Sequence, residues 1–316
     1  MNILVIGGTR LLGLAVVKQL LLANNNVTVL SRHPEKCPSG VECIGAERVE
    51  GLVQVTGRKF DVTIDSIAYD EQAPTQVFNC FNPGVYILIS STWLVRLAPF
   101  MAADQAISSV EESCAKLLPD ITYSYLLGKM RAEATVLEMR KKNGTATILR
   151  LPIFWGYKEH TGRLDFYRQR VFDGAPIICI DGGNNCAQIV WTEDIACVAA
   201  LWLYKALERP IWEAIPDDGN KVRKIIELVA TAADKQPTLV DVSSEQLLTD
   251  LSDYLKKEPL WRETSSNITE CNLFTVMGIK PTPIAKWLCD LSQQEMVTDI
   301  SELRRREIAF LEHIKC

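Results

Sequence analysis

An apolar run at residues 2–6 leads directly into "GGTRLLG", residues 7–13, and then into a stretch that keeps Leu12, Val16, Val17 and Leu20 on one helical face. A strand, a tight glycine turn and a helix in that order start a parallel sheet with crossover helices, because the helix must carry the chain back before the next strand can begin. The turn also has a chemical use. Small residues let the backbone approach a pyrophosphate, and the helix N-terminus offers unpaired N–H groups and the positive end of a dipole. Gly7 and Gly8 supply the turn, and Gly13 allows the helix to pack closely on the sheet. Arg10 stands where a G-x-x-G-x-x-G loop has glycine. Gly7, Thr9, Arg10, Leu11, Leu12 and Gly13 are therefore the expected dinucleotide contacts, with a purely structural βα turn as the alternative.

The alternation continues through the first half. Strands are predicted at residues 2–6, 26–31, 61–66, 85–90 and 145–149, each mostly apolar, as strands covered on both faces are. Helices are predicted at 12–23, around 47–55, around 74–81, and at 123–142. After residue 150 prolines, aromatics and the turn "DGGNN" (181–185) break the pattern, and helices resume at 193–206, 221–233, 243–255, 284–291 and 300–313. The expected fold is α/β, a Rossmann-like doubly wound parallel sheet with a smaller mixed α/β substrate-binding portion. Residues 1–150 form the dinucleotide-binding domain and 151–316 the substrate-binding portion, with interleaving at the boundary and a later segment able to extend the first sheet.

Charge and cysteines narrow the class. A net charge of −5 argues against electrostatically driven nucleic-acid binding. The longest apolar stretch, residues 195–204, is too short to span a bilayer, so no membrane is expected. The ten cysteines are irregularly spaced without C-x-x-C, and the N-terminus has neither a charged region nor a cleavage site. A cytoplasmic protein with reduced thiols is the expectation. His33, His160 and His313 are scattered, and Cys179 and Cys186 lack further ligands nearby, so no metal is expected.

The end of the second strand bears on the cofactor. An acidic residue there binds the ribose 2′-hydroxyl of NAD; here the strand ends Ser31-Arg32-His33, with no carboxylate. Arg10, Ser31 and Arg32 suit a 2′-phosphate, because a guanidinium meets phosphate oxygens in a planar fork. NADP(H) is favoured and NAD(H) is the alternative; arginines that merely face solvent or a carboxylate explain the residues without a phosphate.

"YLLGKMRAE" carries the one Tyr-x-x-x-Lys pair, Tyr125 and Lys129, which a helix places on one face. The cation favours phenolate and so brings the tyrosine towards acid–base work on a carbonyl or alcohol oxygen. The fourth predicted strand ends Ser90-Ser91-Thr92, where open α/β sheets hold ligands. A hydroxyl there can hold the same oxygen; a strand-end turn explains it equally.

Taken together, "VIGGTRLLG", "FDVTIDSIAY" (60–69), "YILISSTWLV" (86–95), "YSYLLGKMRAE", "ILRLPIFWG" (148–156) and "IVWTEDIA" (189–196) resemble, in order, the extended branch of the short-chain dehydrogenase/reductase superfamily, which contains the nucleotide-sugar epimerases and dehydratases. The loop with arginine inside looks most like an epimerase-like subgroup that includes chloroplast stem-loop RNA-binding relatives. The resemblance implies Thr92 as the catalytic Ser/Thr, Tyr125 as the acid–base tyrosine, and Lys129 as the lysine that also grips the nicotinamide ribose. It implies cofactor contacts at Gly7, Gly13, Asp65, Ser90 and Pro152, although the wording at 65–68 departs from the family's His-Leu-Ala-Ala. The Asp-Glu pair that follows the threonine in 4,6-dehydratases is replaced by Trp93-Leu94, which argues against elimination. The asparagine common in nucleotide-sugar enzymes is missing from 153–155, which puts such a substrate in doubt.

On the substrate side, "HTGRLDFYRQR" (160–170) offers Arg163 or Arg168 to an anionic group, against the alternative of a solvated amphipathic helix. Trp93, Phe154, Trp155 and Tyr167 are candidates to line a pocket, against the alternative that they are core. The expected function is an NADP(H)-dependent oxidoreductase that interconverts a ketone and a secondary alcohol on a small metabolite. An NAD(P)-dependent epimerase with a retained cofactor, acting on a sugar or sugar-like substrate, is the alternative, and a non-catalytic binding protein ranks third. The resemblance also implies a possible homodimer, formed through the long helix at 123–142 and its neighbour.

Overall fold

A computed structural model describes residues 1–94, 120–157, 159, 161–217, 219–260, 269–292 and 301–314. His160 and the start of the last predicted helix, residue 300, lie outside the described residues. The chain divides into two compact units, one of residues 1–154, 192–215 and 268–280, the other of residues 155–191, 216–267 and 281–316. The sequence suggests an interleaved boundary near residue 150; the first unit's opening segment ends at Phe154, and the chain passes between the units several more times.

The first unit is built on β1 (Asn2–Ile6), α1 (Leu11–Leu22), β2 (Asn26–Ser31), β3 (Glu42–Gly45), α2 (Arg48–Gln54), β4 (Val62–Asp65), α3 (Gln72–Cys80), β5 (Val85–Ser91), α4 (Asp120–Asn143) and β6 (Ala146–Leu151). Its sheet has seven strands in the order β3, β2, β1, β4, β5, β6 and then Ile211–Glu213, with each neighbouring pair parallel. The chain builds outward from β1 to β3, then crosses back to β4. That reversal opens a crevice at the C-terminal ends of β1 and β4, where doubly wound sheets bind ligands.

Alternation within the strands explains why both faces are buried. Leu4 and Ile6 of β1 and Tyr86 and Leu88 of β5 pack with Leu52 of α2, Val77 of α3 and Ala132 and Val136 of α4. Ile87 and Ile89 of β5 face the opposite way, towards Leu12 and Val16 of α1 and Ile195, Ala199 and Trp202 of the helix Thr192–Trp202. Two strands of the sheet escape the sequence pattern. In β3 only Ile44 is buried, so there is no apolar run to read. Ile211–Glu213 returns from the second half and adds the far edge beyond β6.

In the second unit, Ile177–Ile180 pairs in parallel with Leu239–Val242, and a core of Ile178, Ile180, Val242, Leu247, Tyr254 and Leu311 forms over them. The helix predicted at 243–255 is two, Ser244–Asp250 and Ser252–Lys257, broken at Leu251. The helix Arg163–Asp173 is not a solvated face at its C-terminal end. Arg170 is buried with Glu307 at 2.8 Å, and Arg304 bonds both Glu307 at 2.5 Å and Asp173 at 2.7 Å. These buried pairs fasten the final helix, Glu302–Ile314, within its unit.

The thiols also depart from expectation: Cys37 and Cys43 form a disulfide, which links the loop after β2 to β3. Sequence spacing alone does not reveal the bridge, because β3 itself is not legible. No helix among the described residues is long and apolar enough to cross a membrane, and no cluster of three metal-ligating side chains occurs among them.

Candidate active site

The glycine loop closes against its surroundings with no room for side chains. Gly7 has φ +91°, and its N–H donates to the Leu30 carbonyl at 2.9 Å. A Cβ on Gly13 would overlap the Gly7 carbonyl oxygen, so only glycine lets α1 start this close to the loop. Arg10 is the extended N-cap of α1; its side chain makes no cap hydrogen bond, and the first turn carries no acidic residue. The first turn of α1 thus presents backbone N–H groups without a carboxylate of its own helix beside them.

At the end of β2 the predicted residues come together. Thr9 Oγ1 and Ser31 Oγ are 2.7 Å apart and buried, and Ser31 Oγ also accepts the His33 backbone N–H at 3.1 Å. Arg10 Nη2 lies 2.9 Å from His33 Nε2, and His33 Nδ1 is 3.2 Å from Glu35. Arg32 is exposed, with Glu47 at 3.8 Å. The cluster is basic at the strand tip, with Glu35 and Glu47 at its rim. His33 is the member that sequence reasoning misses; its place directly after Arg32 is the available signal.

Asp65 ends β4 fully buried, and both carboxylate oxygens are engaged. Arg48 on α2 bonds them at 3.1 and 2.5 Å, the Tyr86 hydroxyl donates at 2.8 Å, and the Ile67 N–H donates at 3.2 Å. Burial, followed by the Asp65 charge, pushes the Tyr86 phenol well above its ordinary pKa. As placed, Asp65 organises the loop after β4 rather than offering a free carboxylate. Ser66 Oγ then donates to the Ile6 carbonyl at 2.9 Å, which ties that loop to the glycine turn.

The end of β5 carries the hydroxyls. Ser90 and Thr92 are buried, and Ser90 Oγ has no hydrogen-bond partner among the described residues. A buried hydroxyl without a partner is costly unless a ligand atom or a water satisfies it. Trp93 and Tyr125 both pack on the cluster of Leu94, Leu126 and Met130, so α4 sets the Tyr125 ring against the segment that follows β5. Lys129, one turn on, is 2% exposed, and its Nζ donates to the Ile89 carbonyl at 2.7 Å. Burial pushes its pKa down to about 8, against the opposing pull of Asp65 and Glu133. Glu133 is itself held by Arg150 at 2.6 and 3.0 Å.

The structure thus gathers the glycine loop, the end of β2, Ser90, Thr92, Tyr125 and Lys129 along the C-terminal edge of one sheet. A backbone cradle without Cβ atoms and an orphaned serine hydroxyl fit a nicotinamide dinucleotide. Pro152 is buried just past β6, and Phe154 is half-buried. Trp155 and Tyr167 belong to the core of the second unit: Trp155 is 0% and Tyr167 1% exposed, Trp155 stacks edge-on with Trp287, and the Tyr167 hydroxyl bonds Glu258. The bulk that marks them as pocket candidates is used in packing. Arg163 opens its helix half-buried.

Compared by sequence, the chain matches no protein-family model and none of the curated proteins. Its fold does have counterparts. A UDP-galactose 4-epimerase structure is 15% identical, with a TM-score of 0.66 over 93% of this chain and 98% of that one. A dTDP-glucose 4,6-dehydratase from Streptomyces venezuelae, solved with NAD and TYD, is 17% identical, with a TM-score of 0.66 over 93% and 96%. The UDP-glucose 4-epimerase of Thermus thermophilus, solved with NAD, is 17% identical, with a TM-score of 0.61 over 92% and 97%. The chain therefore shares, over nearly its whole length, the fold of these 4-epimerase and 4,6-dehydratase structures.

Proposed function

We propose that the protein is an NADP(H)-dependent oxidoreductase that interconverts a ketone and a secondary alcohol on a small metabolite. The observation that carries this reading is a buried Lys129, bonded to the Ile89 carbonyl one helical turn after Tyr125, with the unpartnered Ser90 hydroxyl on the next residue of β5. In the direction of reduction the Tyr125 phenol donates its proton to the substrate oxygen, and Thr92 holds that oxygen by its hydroxyl. The Lys129 ammonium favours the phenolate that remains, and it is the group that would hold the nicotinamide ribose. When bound, the nicotinamide supplies or accepts the hydride. Gly7 and Gly13 would admit the pyrophosphate to the N-terminus of α1, and Arg10, Ser31 and Arg32 would meet a 2′-phosphate.

Two expected results follow from these roles. Replacing Arg10 and Arg32 together by Ala is expected to lower the preference for NADPH over NADH by about tenfold or more, since each removes a charge-assisted hydrogen bond at an exposed site. Equal losses for both cofactors, measured by fluorescence titration, would refute the phosphate role. The second result concerns pH. Turnover needs the Lys129 ammonium, so its alkaline limb is expected near pH 8, where burial places that group, rather than in the ordinary lysine range. The sign for stability is the reverse. A lysine whose folded pKa lies below its unfolded value costs stability fully below about pH 8, and the cost fades as pH rises towards 10.5.

An epimerase with a retained cofactor is the second reading, favoured by the fold shared with two 4-epimerases, one of them bound to NAD. Denaturing the purified protein and identifying the released nucleotide separates the two. An empty protein that binds NADPH far better than NADH supports the reductase; near-stoichiometric NAD+ overturns it in favour of the epimerase.

A further inference from the structure

The loop after β4 brings a second phenol to the site. Tyr69 follows the Asp65–Ala68 turn, and its backbone is set directly against α4: a Cβ on Gly128 would overlap the Tyr69 carbonyl oxygen. Glycine at 128 therefore fixes how closely that loop approaches the helix, one residue before Lys129 and three after Tyr125. The Tyr69 ring then lies with its centroid 4.9 Å from Lys129 Nζ and 6.3 Å from the centre of the Tyr125 ring. Tyr69 is nonetheless 55% exposed, so the ring is not there to fill a core. A large aromatic left half in solvent, with one face over a buried cation, matches a cation–π arrangement and the outer wall of a ligand site.

We propose that Tyr69 is a positioning residue for Lys129, its ring face capping the ammonium and holding it as a cation beside Tyr125. Lys129 has three donors, and the Ile89 carbonyl accepts from the ammonium beneath. The ring quadrupole stabilises the same charge from the Tyr69 side without taking a proton or a hydrogen bond from the substrate oxygen. The other charges that face Lys129 are known. Asp65 at the end of β4 and Glu133 on α4 favour the ammonium, and Arg48 on α2 disfavours it. Tyr69 itself faces Asp65 and Arg32, and burial followed by Asp65 raises its phenol above the ordinary value. It therefore stays neutral, a π-face rather than an anion. The proposal concerns the same site as the proposed reaction and rests on that reading for its effect on turnover. The geometry it tests exists without substrate or cofactor.

The experiment is a direct titration of Lys129 in the ligand-free protein. The 13Cε resonance of labelled lysine is followed with pH and assigned to Lys129 by its loss in Lys129→Arg. Tyr69→Leu and Tyr69→Met keep bulk and remove the π-face, whereas Tyr69→Phe keeps the face and removes only the hydroxyl. The Lys129 midpoint is expected to fall by about half a unit to one unit in the Leu and Met variants and to stay in place in the Phe variant. The alkaline limb of turnover is expected to move with it. An unmoved midpoint in both Leu and Met variants, with native far-UV dichroism, overturns the proposal. An equal shift in Tyr69→Phe overturns it as well, because the hydroxyl would then be the active part. If Lys129 titrates as expected while the protein shows no turnover with either cofactor, the positioning role stands and the reaction assigned to the site fails.

Discussion

Tyr125→Phe is expected to cut turnover by about two to four orders of magnitude while leaving nucleotide affinity within about twofold, because it removes the proton donor and keeps the ring. The phenyl ring still packs beside Trp93 against Leu94, Leu126 and Met130, so α4 keeps its place against the end of β5. Lys129 still donates to the Ile89 carbonyl, so the group meant to hold the ribose is undisturbed. The measurement is a steady-state assay beside a fluorescence titration of NADPH, both on the variant and on Lys129→Met. The lysine variant should differ in kind: it removes the cation that favours phenolate and the ribose contact together, so affinity and turnover fall in company. A Tyr125→Phe protein with full activity would remove the acid–base mechanism altogether. Loss of nucleotide affinity equal to the loss of turnover would instead make Tyr125 a packing residue.

Much of this site is legible in the sequence because its parts sit at the ends of apolar runs. The glycine loop follows β1 directly, Ser90 and Thr92 follow the buried stretch of β5, and Tyr125 and Lys129 share a helical face by spacing alone. What escapes has physical causes. Strand β3 buries only Ile44, and Ile211–Glu213 is three residues long and separated from β6 by two α-helices and several short strands, so neither leaves a periodic trace. The Asp65–Arg48 pair depends on the Arg48 side chain reaching from α2 to the end of β4, a tertiary fact with no local spacing. Trp155 and Tyr167 mislead for the opposite reason: a bulky aromatic near a predicted site has the same appearance in sequence whether it faces a pocket or a core. Tyr69 is visible as a residue and invisible as a neighbour, since Gly128 and not any motif brings its loop against α4.

The Arg48–Asp65 pair bears the second large effect. Arg48→Met is expected to destabilise the protein by about 3–5 kcal/mol, because it leaves a carboxylate with 0% exposure without its counter-charge. Arg48 also bonds the Ala73 carbonyl at 2.7 Å and Gln76 at 3.2 Å, so the same change frees the start of α3 from α2. Replacing both charges, Arg48→Met with Asp65→Leu, should restore most of the loss, since no buried charge is then left unpaired. Recovery stays incomplete because the Tyr86 hydroxyl loses its acceptor, and adding Tyr86→Phe should close the remaining gap. Urea denaturation of the four proteins checks the cycle, and an Arg48→Met variant as stable as the parent would refute the pairing. The functional consequence is separable from the structural one through Lys129. Arg48 disfavours the ammonium and Asp65 favours it, so Arg48→Met should raise the Lys129 midpoint while loss of Asp65 lowers it. General loosening of the site would admit water and raise the midpoint in every variant, so opposite movements would mean that the pair acts on Lys129 by charge.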